Sequence, residues 1–235
     1  MMRSQQGFGE GMAAVAVCGS AADRGDFAPA CLRPGGLELT EDLVTLARLP
    51  RHARVLDLGC GKGTTVAHFV DRHDLRVVGV DASRGMLARA RKKVTSAAWD
   101  NVELVEADAR VLGPDMVGPT TFDAAICMLG LSVVPDWPDV FQRMFDLVRP
   151  GGRVVVMDLY LDGKRTSSVA NHYYRLLAQA DSRRRFWEPL EAQVDDLDVV
   201  DHRWFGGVAR IAAGTKPDPA VCGGHERGNA ARHVE

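Results

Sequence analysis

From about residue 54 onward, short runs of β-branched and aliphatic residues alternate with stretches whose apolar positions repeat at helical spacing. Runs of Val, Ile and Leu of this length are typical of strands that are buried on both faces of a parallel sheet. The alternation therefore predicts an α/β fold, with helices covering a mostly parallel sheet. Five successive strands are predicted, at residues 55–58, 77–80, 102–105, 124–128 and 153–159.

Helices are predicted in the intervals between these strands. Ser83 has the chemistry of a helix N-cap, and the apolar positions that follow it form a single stripe. A second helix is predicted over residues 136–148, where the sequence Pro150-Gly151-Gly152 should stop it and turn the chain into the fifth strand. A third helix is predicted over about residues 167–180.

The two ends of the chain depart from this alternation. Apolar runs at 197–204 and 208–213 flank a Phe-Gly-Gly turn and predict an antiparallel hairpin. Residues 1–50 do not alternate and are predicted to form an N-terminal cap, or substrate-side segment. Residues 217–235 lack periodicity and aromatic side chains, so a disordered tail is predicted after a domain that spans residues 51–216.

Composition argues against several classes of partner. A chain of 235 residues with 46% hydrophobic residues, 26% charged residues and a net charge of −2 resembles a soluble globular protein without a broad basic surface for nucleic acid. The apolar stretch at 12–22 is shorter than the roughly 20 residues that cross a bilayer, so no membrane span is expected. The five unclustered cysteines predict neither disulfides nor a metal site, and they fit the cytoplasm. We leave a homodimer open.

The strongest chemical signal is the segment Val55-Leu56-Asp57-Leu58-Gly59-Cys60-Gly61-Lys62-Gly63. Glycines after a strand permit a tight turn and let a ligand approach the backbone closely. The N-terminus of the following helix supplies free N–H groups and the positive end of a dipole. Together these features predict a nucleotide-like ligand at the carboxyl ends of a parallel sheet.

Three kinds of nucleotide-binding loop share these features. A phosphate-binding P-loop requires Ser or Thr after Lys62, where this chain has Gly63, so that loop is excluded. A nicotinamide-binding loop requires a third glycine where this chain has Thr64. An NAD(P)-binding oxidoreductase therefore remains as a remote alternative.

The third kind of loop resembles the first motif of the class I S-adenosylmethionine-dependent methyltransferases, which residues 55–63 match throughout. Asp81 ends the second strand, Asp108 follows the third, and a Pro-Gly-Gly turn precedes the fifth, in the order of that family. The resemblance covers residues 37–216 and is nearest to small-molecule enzymes of the quinone C-methyltransferase type. It implies a Rossmann-like, doubly wound, mostly parallel seven-stranded sheet with a C-terminal antiparallel hairpin, and S-adenosyl-L-methionine as the cofactor.

The resemblance also implies roles for individual residues. Asp81 should bind the ribose hydroxyls, Ala82 and Met86 should pack against the adenine, and Asp108 and the Ala109 N–H should bind its edge. The other predicted cofactor residues come from the glycine loop and the fourth strand, and they are Asp57, Gly59, Cys60, Gly61, Gly63 and Cys127. Structural roles compete with these assignments: Asp81 and Asp108 suit turn caps, and Met86 and Cys127 suit the core.

The predicted reaction is methyl transfer to a small acceptor, such as a phenol, a quinone-like ring or an amine, by in-line attack on the sulfonium methyl. Parts of the sequence also resemble enzymes that transfer the 3-amino-3-carboxypropyl group of the same cofactor, so that transfer is the alternative. A general base is needed only if the nucleophile arrives protonated. His172 and Tyr173 are the first candidates, and Asp158, Tyr160, Tyr174 and His202 also follow the fourth and fifth strands.

Overall fold

The structure, a computed structural model, describes residues 36–118, 121–161, 180–204, 207–219 and 232–233. The strands in these ranges form one sheet, and their bounds are β1 Arg54–Leu58, β2 Arg76–Asp81, β3 Val102–Glu106, β4 Phe122–Met128, β5 Val148–Tyr160, β6 Asp198–Trp204, β7 Gly207–Thr215 and β8 Arg232–His233. Their order across the sheet is β3-β2-β1-β4-β5-β7-β6-β8.

The pairing of these strands confirms the predicted fold class. Strands β3, β2, β1, β4 and β5 are parallel to one another, and β7 runs antiparallel to both β5 and β6. This is a mostly parallel seven-stranded sheet that ends in an antiparallel hairpin, with the two-residue β8 added at its edge. Within the segment predicted as a disordered tail, Arg232 and His233 pair with Asp198 and Val199.

Helices cover both faces of the sheet. Their bounds are α1 Gly36–Ala47, α2 Thr64–His73, α3 Arg84–Ala97, α4 Pro114–Val117, α5 Trp137–Asp146 and α6 Glu188–Glu191, with a 3₁₀ turn at Ala109–Val111. The predicted N-cap is confirmed, since the Ser83 hydroxyl accepts a hydrogen bond from the Met86 N–H at 3.3 Å. The helix predicted at 136–148 corresponds to α5, whereas the one predicted at 167–180 lies outside the described residues, apart from Ala180.

The sequence Pro150-Gly151-Gly152 lies inside β5 instead of separating it from the preceding helix. Helix α5 ends at Asp146 and β5 begins at Val148, and the register between β4 and β5 shifts at this point. A Cβ at Gly152 would lie 2.7 Å from the carbonyl oxygen of Asp123. The prediction that this turn precedes the fifth strand was therefore wrong in detail: glycine is required here because the bulged strand passes close to its neighbour.

The core lies in two layers, one on each face of the sheet. One layer packs the sheet against α5 and α6 through residues such as Phe141 and Leu190. The other packs it against α1 and α2 through residues such as Leu43 and Phe69. Side chains alternate between the two faces along each strand, so β1 contributes Leu56 to the first layer and its neighbour Val55 to the second.

Helix α1 belongs to the segment predicted as an N-terminal cap, and it packs against β5, β7 and α2. Its C-terminal end is held by Arg153 of β5, whose guanidinium donates to the Leu46 carbonyl at 2.9 Å. The carboxylate of Asp42 also lies 2.7 Å from the His202 Nε2 atom of β6. Among the helices of the described ranges, none is both long enough and apolar enough to cross a membrane.

Candidate functional site

The carboxyl ends of β1, β2, β3 and β4 meet at one edge of the sheet. The glycine loop follows β1 at this edge, Asp81 ends β2, and Asp108 follows β3. Cys127 of β4 is the register partner of Leu58 in β1. The order of the strands reverses between β1 and β4, and open parallel sheets bind their ligands in the crevice at such a position. The structure therefore brings the predicted cofactor residues to one edge.

The three glycines of the loop adopt backbone conformations that other residues avoid. Gly59, Gly61 and Gly63 have φ angles of +80°, +54° and +70°. The N–H groups of Gly59 and Cys60 donate to the Val80 carbonyl at 2.8 and 3.0 Å, so the loop turns back onto the end of β2. A Cβ at Gly59 or Gly61 would have no atom within 4 Å, and the loop therefore borders open space.

Gly63→Ala should lower the free energy of unfolding by about 2 kcal/mol, because a positive φ is strained for alanine and the added methyl group overpacks the loop. The new Cβ would lie 3.0 Å from the Cβ of Ala90 in α3. Urea denaturation followed by circular dichroism measures the change. Gly85→Ala, in the first turn of α3, is the control, since its Cβ would meet only the Ser83 hydroxyl at 4.0 Å. Equal losses in the two variants would contradict this account.

Asp81 joins the glycine loop to the start of α3. Its Oδ2 atom accepts a hydrogen bond from the Gly61 N–H at 2.8 Å, and its Oδ1 atom accepts one from the Ser83 N–H at 2.8 Å. The turn-forming role considered for this residue is therefore observed. Each carboxylate oxygen has a second acceptor direction, so binding of ribose hydroxyls stays a prediction that this geometry permits.

Asp108 makes more contacts than the sequence indicated. Its Oδ1 atom accepts from the Arg110 N–H at 2.9 Å and thereby caps the 3₁₀ turn. Its Oδ2 atom lies 2.6 Å from the Arg110 guanidinium, whose hydrogen bonds lower the pKa of Asp108 to about 2. Asp108 is therefore a carboxylate at neutral pH. Any contact with an adenine amino group would share this carboxylate with Arg110, which was not among the predicted site residues.

The remaining predicted cofactor residues divide by burial. Ala82 is exposed, and Met86 and Ala109 are half-buried, so these three border the side of the sheet where the carboxyl ends of the strands meet. The buried members are Asp57, Cys60 and Cys127. Burial raises the pKa of both cysteine thiols well above the usual range, and nearby negative charges, including that of Asp57, raise it further. A raised pKa favours the protonated form of both thiols at neutral pH.

The catalytic candidates are not assembled in the described part of the chain. His172, Tyr173 and Tyr174 lie outside the described residues. His202 pairs with Asp42 and thereby joins β6 to α1. Tyr160, at the end of β5, packs edge-on against Trp187 with the ring centroids 4.8 Å apart. His202 and Tyr160 therefore each contact another element of the fold.

Asp158 is a buried carboxyl group near the carboxyl end of β5, with 1% of its surface exposed. Its Oδ2 atom accepts from the Ser132 N–H at 2.8 Å, and its Oδ1 atom accepts from the Leu159 N–H at 2.8 Å. These bonds attach the loop after β4 to β5. Burial raises the pKa of Asp158 to about 6, although the two N–H donors oppose the shift.

Asp158 should make the folded protein less stable as the pH rises from about 4 to about 6. Its pKa rises from 3.8 to about 6 on folding, so in this interval the folded chain retains a proton that the unfolded chain releases. The free energy of unfolding then decreases with pH by about 3 kcal/mol over the interval. Urea denaturation at several pH values should show this slope in the native chain and a weaker one in Asp158→Asn. Parallel pH profiles would refute the assignment.

Comparisons with known proteins identify the family. A profile described as a methyltransferase domain matches residues 55–152. The chain is 32% identical over 176 residues to a demethylmenaquinone methyltransferase of Listeria monocytogenes, with 73% of this chain and 71% of that protein covered. The chain belongs to the class I S-adenosylmethionine-dependent methyltransferases. This membership confirms the family and the cofactor predicted from the sequence, and it sets the nicotinamide alternative aside.

Two further similarities agree with this membership. The methyltransferase is 39% identical over 116 residues to a phosphatidylethanolamine N-methyltransferase of Cereibacter sphaeroides, covering 48% of this chain and 54% of that one. It superposes with a TM-score of 0.67 and 18% identity on phosphoethanolamine N-methyltransferase 2 of Haemonchus contortus in complex with S-adenosyl-L-methionine, over 82% of this chain and 55% of that one. The chain spans only 25% to 54% of the length of four curated relatives of these N-methyltransferase types.

Proposed function

We propose that this methyltransferase transfers the methyl group of S-adenosyl-L-methionine to a small-molecule acceptor. The observation that carries the proposal is the glycine loop with three positive φ angles, which Asp81 ties to β2 at the point where the strand order reverses. Relatives named for demethylmenaquinone and for phosphatidylethanolamine support an acceptor that is not a macromolecule. The net charge of −2 agrees, because it offers no broad attraction to nucleic acid.

The residues at this edge suit the cofactor. Open space beside Gly59 and Gly61 lets a ligand lie against the backbone, and the Asp81 carboxylate is already oriented at the end of β2. In our proposal Asp81 accepts hydrogen bonds from the ribose, and half-buried Met86 and exposed Ala82 contact the adenine. The other proposed contacts are those implied by the family, from Asp57, Gly59, Cys60, Gly61, Gly63, Asp108, Ala109 and Cys127.

The reaction requires alignment more than chemical activation by the protein. The bound cofactor supplies a methyl group activated by a sulfonium. The acceptor atom forms a bond to the methyl carbon while the carbon–sulfur bond breaks, and that electron pair stays on sulfur in S-adenosylhomocysteine. The protein's main contribution is to hold the acceptor in line at close range. A phenol or protonated amine must also lose a proton, and His172 and Tyr173 are our proposed bases.

A product assay tests the proposal. The full chain would be incubated with methyl-labelled S-adenosyl-L-methionine and, separately, with phosphoethanolamine, a demethylated quinone or a simple phenol. S-adenosylhomocysteine together with a labelled acceptor supports methyl transfer. Methylthioadenosine with a heavier acceptor would instead establish transfer of the aminocarboxypropyl group and refute the proposal. The substitutions His172→Ala and Tyr173→Phe test the proposed bases. Each should lower turnover while leaving the affinity for the cofactor unchanged.

We also propose a cytoplasmic location, because the described cysteines, Cys60 and Cys127, are free thiols, as expected in a reducing compartment. A homodimer remains a hypothesis, and sedimentation velocity of the purified chain tests it.

A further inference from the structure

Two histidines of α2 and one glutamate of α1, none of them a residue of the candidate site, converge on one point. The Nε2 atom of His68 lies 3.1 Å from Oε1 of Glu41, and the Nε2 atom of His73 lies 3.4 Å from Oε2 of the same carboxylate. One ligand atom from each residue lies within 4.8 Å of the other two. His73 ends α2 just before β2 begins, so the cluster extends toward the opposite edge of the sheet from the candidate site.

The two histidine rings approach each other at the C-terminal end of α2, although five residues of helix place them about 140° apart around the helix axis. His68 and His73 are five residues apart, which separates their backbones by about 7.5 Å along the helix axis. Helical side chains lean toward the N-terminus, so His73 reaches back along α2 toward His68. The two rings are tilted at 55° with centroids 5.4 Å apart, and they are therefore not stacked face to face. Glu41 approaches both rings from the neighbouring helix.

We propose that Glu41, His68 and His73 bind a divalent transition-metal ion of the zinc class. Two imidazole nitrogens and one carboxylate oxygen form a ligand set that zinc uses in proteins, with water in the fourth position. Tetrahedral bonds of about 2.1 Å place ligand atoms about 3.4 Å apart. The two observed nitrogen–oxygen distances, 3.1 and 3.4 Å, are close to that separation, although each involves a different oxygen of Glu41. The three ligand atoms lie within 4.8 Å of one another, so the side chains must close by about an ångström to bind one ion.

Burial around the three residues suits a metal site. The His68 side chain is 7% exposed and supplies a fixed ligand, whereas His73 and Glu41 are 28% and 50% exposed and leave an entry path. The pair of His202 with Asp42, elsewhere in the described chain, joins one imidazole to one carboxylate oxygen. Glu41 differs because both of its oxygens face imidazole nitrogens.

The bound ion would act on the fold and not on the transfer reaction. It would join α1 to α2, two helices from segments that are separated by the whole of β1 and the glycine loop. An ion that binds the folded chain and not the unfolded one raises the midpoint of thermal unfolding. The inference is independent of the proposed function, since none of its residues belongs to the candidate site.

Titration of the full chain with zinc alone tests the inference. After treatment with a chelator and its removal, calorimetry should detect about one zinc ion per chain at this cluster. His73→Gln should weaken this binding by about 100-fold or more, since loss of even an indirect partner of a metal ligand costs about 10- to 100-fold. His202→Gln is the matched control, because it breaks one imidazole–carboxylate pair of α1 and should bind zinc as the native chain does.

Cobalt spectroscopy and thermal unfolding separate this cluster from other metal-binding groups. Cobalt at nitrogen and oxygen ligands should absorb in the visible without an intense thiolate charge-transfer band, and His73→Gln should lose that absorption. Zinc should raise the unfolding midpoint of the native chain and of His202→Gln, but not that of His73→Gln. Circular dichroism without metal establishes that His73→Gln folds. Native-like zinc binding by His73→Gln, no binding by the native chain, or cobalt bound only through thiolates would each overturn the proposal.

Discussion

Asp81→Asn is expected to weaken the binding of S-adenosylhomocysteine by about 100-fold. The asparagine amide must present an NH₂ group to one of the two backbone N–H donors, Gly61 or Ser83, that the carboxylate now satisfies. The substitution also removes the negative charge of the carboxylate that, in our proposal, accepts hydrogen bonds from the ribose hydroxyls. Hydrogen bonds to a charged group contribute about 1.5–3 kcal/mol each, and about 3 kcal/mol in total corresponds to a 100-fold change in affinity.

Isothermal calorimetry with S-adenosylhomocysteine measures this change. Glu103→Gln is a suitable control because it removes a carboxylate from an exposed position in β3, the strand next to β2. Glu103 lies near the amino end of β3, whereas the candidate site lies at the carboxyl ends of the strands. Circular dichroism of both variants separates lost affinity from lost folding. Native affinity in Asp81→Asn would remove the basis for a ribose contact, whereas the family membership would stand.

Arg153→Met is expected to lower the free energy of unfolding by about 3 kcal/mol, the largest stability effect that we expect from a single substitution in this chain. The guanidinium is 7% exposed, and it donates to Asp196 and Asp198 at 2.8 Å each. It also donates to the Leu46 carbonyl and the Thr215 hydroxyl. Methionine fills a similar volume but donates no hydrogen bond, so the Leu46 carbonyl and the Asp196 and Asp198 carboxylates each lose a charged donor.

Arg149→Met provides the matched control for this substitution. Arg149 pairs with Asp123 at 2.8 Å, but its side chain is 46% exposed. Exposed ion pairs usually contribute less than about 1 kcal/mol, so this variant should remain close to the native chain in urea denaturation. Similar losses in the two variants would show that the buried network around Arg153 does not carry the stability assigned to it.

The parts of the structure that sequence predicts well are those encoded by neighbouring residues. Each parallel strand is a short apolar run, so β1 to β4 begin and end within two residues of the predicted bounds. The Ser83 N-cap is likewise a local signal, and its hydrogen bond to Met86 spans three residues. The glycine loop belongs to the same class, because its positive φ angles follow from glycine at defined spacing.

Contacts between distant residues could not be predicted in this way. The guanidinium of Arg153 binds the carbonyl of Leu46, 107 positions earlier, and no periodic pattern marks that pairing. The ion pair of Asp108 with Arg110 is local, yet it was missed because either side chain could equally face solvent. Glu41 and His68 were missed because their convergence depends on how α1 packs against α2.

The attachment of α1 to the last hairpin has a consequence for synthesis of the chain. Asp42 of α1 contacts His202 of β6, and Arg48, just after the end of α1, binds Asp198 of the same strand. These β6 residues leave the ribosome some 150 residues later. Until those strands emerge, Asp42 and Arg48 lack these partners, and the part of the α1 apolar face that packs against β5 and β7 is exposed to chaperones and to other nascent chains. Such non-local closure favours slow, late completion of folding, so slowed translation near the C-terminus should prolong the exposure of α1.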